Sequence, residues 1–158
     1  MQETSLEKWR GAVTAYAPLI FWIGVIFFLS SDQGSMAETS RFVGPILKFL
    51  FPNISEETLA VCHAFIRKTA HFTEYALLAF FAVRALARSS VASLRNLRYL
   101  LPLILVALVA SMDEFNQSFE SSRTGSGWDV LLDVSGGAAM MTILWLIERP
   151  VLQKPALQ

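Results

Sequence analysis

From Gly11 to Ser31 the chain carries no charged residue, after a polar opening that includes Lys8 and Arg10. Such a run is long enough to cross a hydrocarbon core of roughly 30 Å, which takes about 20 apolar residues, and Pro18 is tolerable because it falls within the first two turns. A cleaved leader is the competing reading. Its apolar part would be shorter, and Ser30-Ser31-Asp32-Gln33-Gly34 offers no Ala-x-Ala cleavage site, so the segment reads as a retained first span. Residues 42–51 set Lys48 among Ile46, Leu47, Phe49, Leu50 and Phe51 between Gly44-Pro45 and Pro52. This segment is too short to cross and reads as interfacial, lying on or dipping into a membrane surface. Ser55, followed by Glu56 and Glu57, then predicts a helix start, the hydroxyl capping orphan amides and the carboxylates complementing the positive dipole end, with Ile54 and Leu59 spaced as a staple.

No breaker follows until beyond Arg88, which predicts one continuous helix of about 30 residues whose later part is a second span. Ser89 to Arg98 is a short connection. Tyr99 to Met112 is uncharged and stops at Asp113-Glu114-Phe115-Asn116-Gln117; residues 118–128 are a loop by composition; Asp129 and Asp133 then open a fourth segment running through Gly136, Gly137, Ala138 and Ala139 to Ile147. Small residues there permit close helix packing. The expected architecture is all-α, a single domain over 1–158 and a bundle of about four transmembrane helices, near 12–31, 69–88, 98–114 and 130–148, with the interfacial segment after the first.

Composition supports the membrane assignment, with 54% hydrophobic and 16% charged residues and a mean hydropathy of +0.47, too apolar for a soluble domain of this size. The 13 basic and 13 acidic residues cancel, leaving no global field to attract nucleic acid. Cys62 is the sole cysteine, which excludes an intramolecular disulfide and a thiolate cluster and leaves an inert thiol as the expectation.

The later spans share a feature. The second is polar at its start, the third at its finish and the fourth at its start, so an up-and-down bundle puts all three polar ends on one side. Arg67, His71 and Glu74 then share one helical stripe with Lys68 and Tyr75 on the next, Asp113 and Gln117 share a face at i, i+4, and so do Asp129 and Asp133. With Glu114 and Arg123 they surround one pocket. An ionisable group at the bilayer centre costs about 2.5 to 3.5 kcal/mol on insertion scales, which makes His71 and Glu74 either a functional site or interface anchors. Tyr75, Phe119 and Trp128 either line the entrance or form an aromatic belt, the belt being the commoner role. Lys8, Arg10, Arg84, Arg88, Arg95, Arg98, Arg149 and Lys154 fall on one side and Arg41, Lys48, Arg67, Lys68 and Arg123 on the other. That bias places both termini in the cytoplasm and opens the pocket to the extracytoplasmic face.

Two motifs resemble the VanZ-like membrane proteins of bacteria, a family named for a member associated with teicoplanin resistance. The first is Arg67-Lys68-x-x-His71-Phe72-x-Glu74-Tyr75-Ala76-x-Leu78; the second is Asp113-Glu114-x-x-Gln117-x-Phe119 followed by Arg123, Gly125, Ser126, Asp129, Val130 and Gly136. The "Phe-Leu-Ser-Ser" that ends the first span fits as well. The chain departs from the family pattern with Ser121-Ser122 for a Pro-Gly pair, Asp133 for Asn and Ser135 for Thr. The resemblance implies a small membrane protein of the bacterial envelope linked to glycopeptide tolerance, and carries no established reaction with it.

Three chemistries fit these residues. In the first, Arg67 and Arg123, with Lys68, Tyr75, Gln117 and Asp133, bind the anionic head of an envelope amphiphile, a membrane lipid, lipid-linked cell-wall intermediate or lipoglycopeptide, since guanidinium matches phosphate with a planar fork of donors. In the second, His71, Glu74, Asp113, Glu114 and Asp129 perform acid and base work on a lipid-linked phosphate or sugar, provided burial brings a carboxylate toward neutrality. One His among carboxylates is also a thin metal signal, so neither a metal nor any other cofactor is assigned. In the third, ion pairs such as Glu74 with Arg123 or Arg67 with Asp129 only fix the bundle's register. A proton-coupled transporter fits less well, because polar groups at one end leave no relay across the membrane.

Overall fold

Among the residues that the computed structural model describes, 5–31, 36–119 and 126–152, all regular structure is helical. The elements are α1 (Ser5–Ser30), α2 (Met36–Leu50), α3 (Glu56–Ala87), α4 (Ala92–Asn96), α5 (Leu100–Gln117) and α6 (Gly127–Leu152). Trp9–Ser30, Glu56–Ala87, Leu100–Gln117 and Gly127–Arg149 are long and apolar enough to cross a membrane. The chain is a multi-pass helical membrane protein. Consistent with that, Ile20, Phe21, Phe28, Leu108, Leu131, Leu146 and Ile147 point away from the bundle, an outer surface that suits lipid and would be costly in water.

α3 begins where local chemistry dictates. The Ser55 hydroxyl accepts from the Thr58 amide at 3.1 Å, and the Glu56 carboxylate accepts from Lys48 Nζ at 2.7 Å, tying the end of α2 to the start of α3. With 32 residues the helix is about 48 Å long at 1.5 Å per residue, so its first turns extend beyond a hydrocarbon core of roughly 30 Å. α2 starts earlier than its apolar run, at Met36, because nothing between Gly34 and Gly44 breaks a helix, and Gly44 itself faces the His63 ring. At 15 residues it spans only about 22 Å, short of a crossing.

Pro18 sits deeper in a helix than its distance from the start of the apolar run indicates, because α1 begins at Ser5. A mid-helix proline has no N–H for the carbonyl four residues back. That carbonyl belongs to Thr14, and Arg84 Nη1 of α3 donates to it at 3.3 Å. A guanidinium from the neighbouring span thus replaces the missing amide.

α3 is the hub. It packs against every other helix, most extensively α6, while α5 also packs on α6 and touches α1. The core is built around Ile26, Tyr75, Leu78, Ala79, Val83, Val106, Val109, Ala110 and Met141. Gly136 is where α3 and α6 come closest, since a Cβ there would lie 2.3 Å from the Phe72 carbonyl oxygen. At the other end of the bundle Arg98 Nη2 donates to Glu148 at 2.9 Å, closing α6 against the start of α5.

Candidate functional site

The polar ends of α3, α5 and α6 meet at one end of the bundle, as connectivity requires. Lys68 Nζ donates to Asp129 Oδ1 at 2.9 Å, His71 Nδ1 lies 3.6 Å from Asp133 Oδ1, and Phe72 abuts Gly136. Residue numbers rise together along both helices, so α3 and α6 run in the same direction, and Asp129 and Asp133, one turn apart, meet Lys68 and His71, also one turn apart.

A second connection joins α3 to α5. Arg67 Nη2 donates to Gln117 Oε1 at 2.9 Å, Gln117 Nε2 donates to Asp113 Oδ2 at 3.0 Å, and Tyr75 Oη reaches the same oxygen at 3.3 Å. One amide uses both ends to relay from a cation to a carboxylate, and this keeps α5 helical through Gln117 although its apolar run stops at Met112. Glu114 anchors the next helix: its Oε2 accepts from the Ser126 amide at 2.8 Å, just before α6 begins at Gly127, and Ser126 Oγ accepts from the Trp128 amide at 3.2 Å.

Ala64, Arg67, Lys68, His71, Glu114, Asp129, Leu132 and Asp133 line a cavity of about 90 Å³. Asp113, Gln117 and Tyr75 belong to the network without lining this cavity. Tyr75 is fully buried in the core; it is neither an entrance residue nor part of a belt, because its ring sits on the α3 face turned into the bundle. Phe119 and Trp128, by contrast, are exposed, and Phe119 packs edge-on against Phe115 at 4.9 Å. Glu74 also stays out of the lining; its carbonyl accepts from Trp22 Nε1 at 2.9 Å, which places that turn of α3 against α1. His71 therefore has Asp133 for a carboxylate neighbour, and Asp129 pairs with Lys68 rather than with Arg67. Arg123 and Lys154 lie outside the described residues. Ala64 and Leu132 carry no polar signal, but Ala64 is one turn before Lys68 and Leu132 adjoins Asp133.

Burial divides the site. Asp113 and Asp133 are fully buried and Glu114 is 5% exposed, whereas the side chains of Lys68 and Asp129 are 58% and 28% exposed. The mouth is thus a solvated ion pair worth at most about 1 kcal/mol, and the floor is made of carboxylates withdrawn from solvent. Among the described residues no three His, Cys, Asp or Glu side chains are grouped so as to hold a metal ion.

A bundle of four apolar helices, each long enough to cross a membrane, whose polar ends on α3, α5 and α6 meet around a small cavity, defines a multi-pass helical membrane protein. The chain belongs to the VanZ/LLP1 family, whose model matches residues 15–148 and so takes in both polar motifs and all four spans nearly completely. Neither a curated protein nor a solved structure matches it.

Proposed function

We propose that the pocket binds the head group of an anionic envelope amphiphile, a lipid-linked cell-wall intermediate or a lipoglycopeptide such as teicoplanin, and thereby contributes to glycopeptide tolerance. The observation that carries this reading is the state of Arg67. Its hydrogen-bond partner is the neutral amide of Gln117, not a carboxylate, so among the described residues no direct ion pair cancels its charge at the cavity wall. Guanidinium is the group best suited to phosphate and carboxylate, and the apolar outer faces of α3, α5 and α6 offer a surface for the lipid part. In the bacterial cytoplasmic membrane, with both termini in the cytoplasm as the basic residues favour, the pocket opens toward the envelope.

Titration of the purified protein with a labelled polyprenyl phosphate tests this. Arg67→Ala combined with Arg123→Ala should weaken binding at least about tenfold while the protein still inserts, and unchanged binding refutes the reading. Orientation is tested in a Cys62→Ser background: a cysteine replacing Ser122 should react with a membrane-impermeant maleimide in intact cells, and one replacing Ser93 should not.

A second reading rests on His71 beside the buried Asp133 carboxylate, the pairing that orients a general base. It makes the protein a hydrolase or transferase acting on a lipid-linked phosphate or sugar. Turnover of a lipid-linked pyrophosphate, lost in His71→Gln, would favour it over simple binding.

A further inference from the structure

The donors and acceptors around the cavity are segregated. Arg67 and Lys68 supply N–H groups at the mouth, where Asp129 pairs with Lys68, and the floor supplies carboxylate oxygens that lack donors among the described residues. Asp133 lines the cavity and is fully buried, yet neither of its oxygens accepts a hydrogen bond from any described residue. His71 Nδ1 stands 3.6 Å from Oδ1, within ion-pair reach but beyond hydrogen-bonding length. Glu114 Oε1, on the same wall, and Asp113 Oδ1, behind it, are also without a donor among the described residues. Among the described residues Asp113, Glu114, Asp129 and Asp133 stand with two permanent cations, Arg67 and Lys68, and with His71 beside Asp133, so formal negative charge is in excess there.

Buried acceptors are nearly always paired, and a buried charge without a partner is costlier still. A fully ionised phosphate answers this floor poorly, because it adds acceptors and negative charge to ionised carboxylates. A hydrogen-bond-donating cation answers it well. We infer that the floor receives a primary ammonium group, so that the head group recognised here is a phosphate with an adjacent primary amine, as in phosphoethanolamine. This rests on the reading above that Arg67 takes the anionic part. A cavity of about 90 Å³ holds a few waters' worth of atoms, the scale of an aminoethyl group and not of a whole sugar. The three N–H donors of an ammonium answer the oxygens of Asp133 and Glu114. A quaternary ammonium carries the same charge and answers none of them.

The discriminating experiment titrates the full-length protein in detergent with short-chain phosphatidylethanolamine, phosphatidylcholine and phosphatidic acid. The ethanolamine lipid should bind about tenfold tighter than the choline lipid, the scale of one charge-assisted hydrogen bond, and tighter than phosphatidic acid. Asp133→Asn should remove the preference for ethanolamine over choline. If that variant fails to fold, Glu114→Gln should reduce the preference, and the wild-type comparison stands without either. Soluble O-phosphoethanolamine separates the two sources of this chemistry: competition at similar concentration makes the free head group sufficient, and competition only by the lipid makes the membrane the source, the ammonium assignment holding in both. Equal affinity for the ethanolamine and choline lipids overturns the inference, the floor then holding water alone, while Arg67-dependent binding of phosphatidic acid still upholds the mouth. Failure of every phosphate-bearing lipid to bind overturns the reading of the mouth itself.

Discussion

Replacing Gly136 with alanine probes the contact that sets the whole site. A Cβ at that position would lie 2.3 Å from the Phe72 carbonyl oxygen and 3.0 Å from its carbonyl carbon. The obstructing atoms are backbone, so no rotamer change relieves the clash, and α3 and α6 must separate by roughly 1 Å. Alanine is the better helix former by about 1 kcal/mol, and overpacking costs typically 1 to 3 kcal/mol; with rigid backbone on one side the cost falls at the upper end, for a net loss of about 2 kcal/mol. The same separation stretches the Lys68–Asp129 and His71–Asp133 approaches at 2.9 and 3.6 Å, so ligand binding should weaken together with stability. Two controls calibrate the result. Gly137→Ala meets only the Val106 side chain, at 2.9 Å, and Gly24→Ala meets nothing within 4 Å, so the first should be milder and the second neutral or slightly stabilising. Unfolding of the detergent-solubilised variants by increasing mole fraction of SDS gives the ordering directly. A Gly136→Ala protein as stable as Gly24→Ala would refute the close crossing and the site geometry built on it.

The pairing of Pro18 with Arg84 predicts coupling. Arg84→Leu should cost about 1 to 3 kcal/mol by stranding the Thr14 carbonyl, and markedly less in a Pro18→Ala background, where a backbone N–H again reaches that carbonyl; strictly additive losses in the double-mutant cycle would show that the two are independent. Replacing His71 and Asp133 together with leucine should raise stability by about 1 to 4 kcal/mol, since a buried pair gives way to apolar side chains, while binding at the pocket floor is lost. A lower stability in the same SDS titration would mean that the pair contributes more than its desolvation costs.

The sequence by itself determined the elements and the shared end of the bundle at which they become polar. Uncharged runs bounded by charges delimit the spans, Ser55 with two following glutamates starts α3, and the alternation of polar ends brings Arg67, His71, Asp113, Gln117, Asp129 and Asp133 to one end through connectivity alone. Periodicity also placed these residues on shared stripes, because a helix fixes the angle of each side chain about its own axis. Only the tertiary structure decided how each helix is rotated toward its neighbours, and partners depend on that rotation. Lys68, not Arg67, meets Asp129; His71 meets Asp133; Tyr75 turns into the core; Glu74 stays out of the cavity lining. The angle between stripes on different helices is set by where backbones can touch, here at Gly136 against Phe72, and no spacing along one chain segment encodes that contact. The same holds for Arg84 and the Thr14 carbonyl: proline announces an orphan acceptor, but which of several arginines reaches it is a matter of how α1 lies on α3.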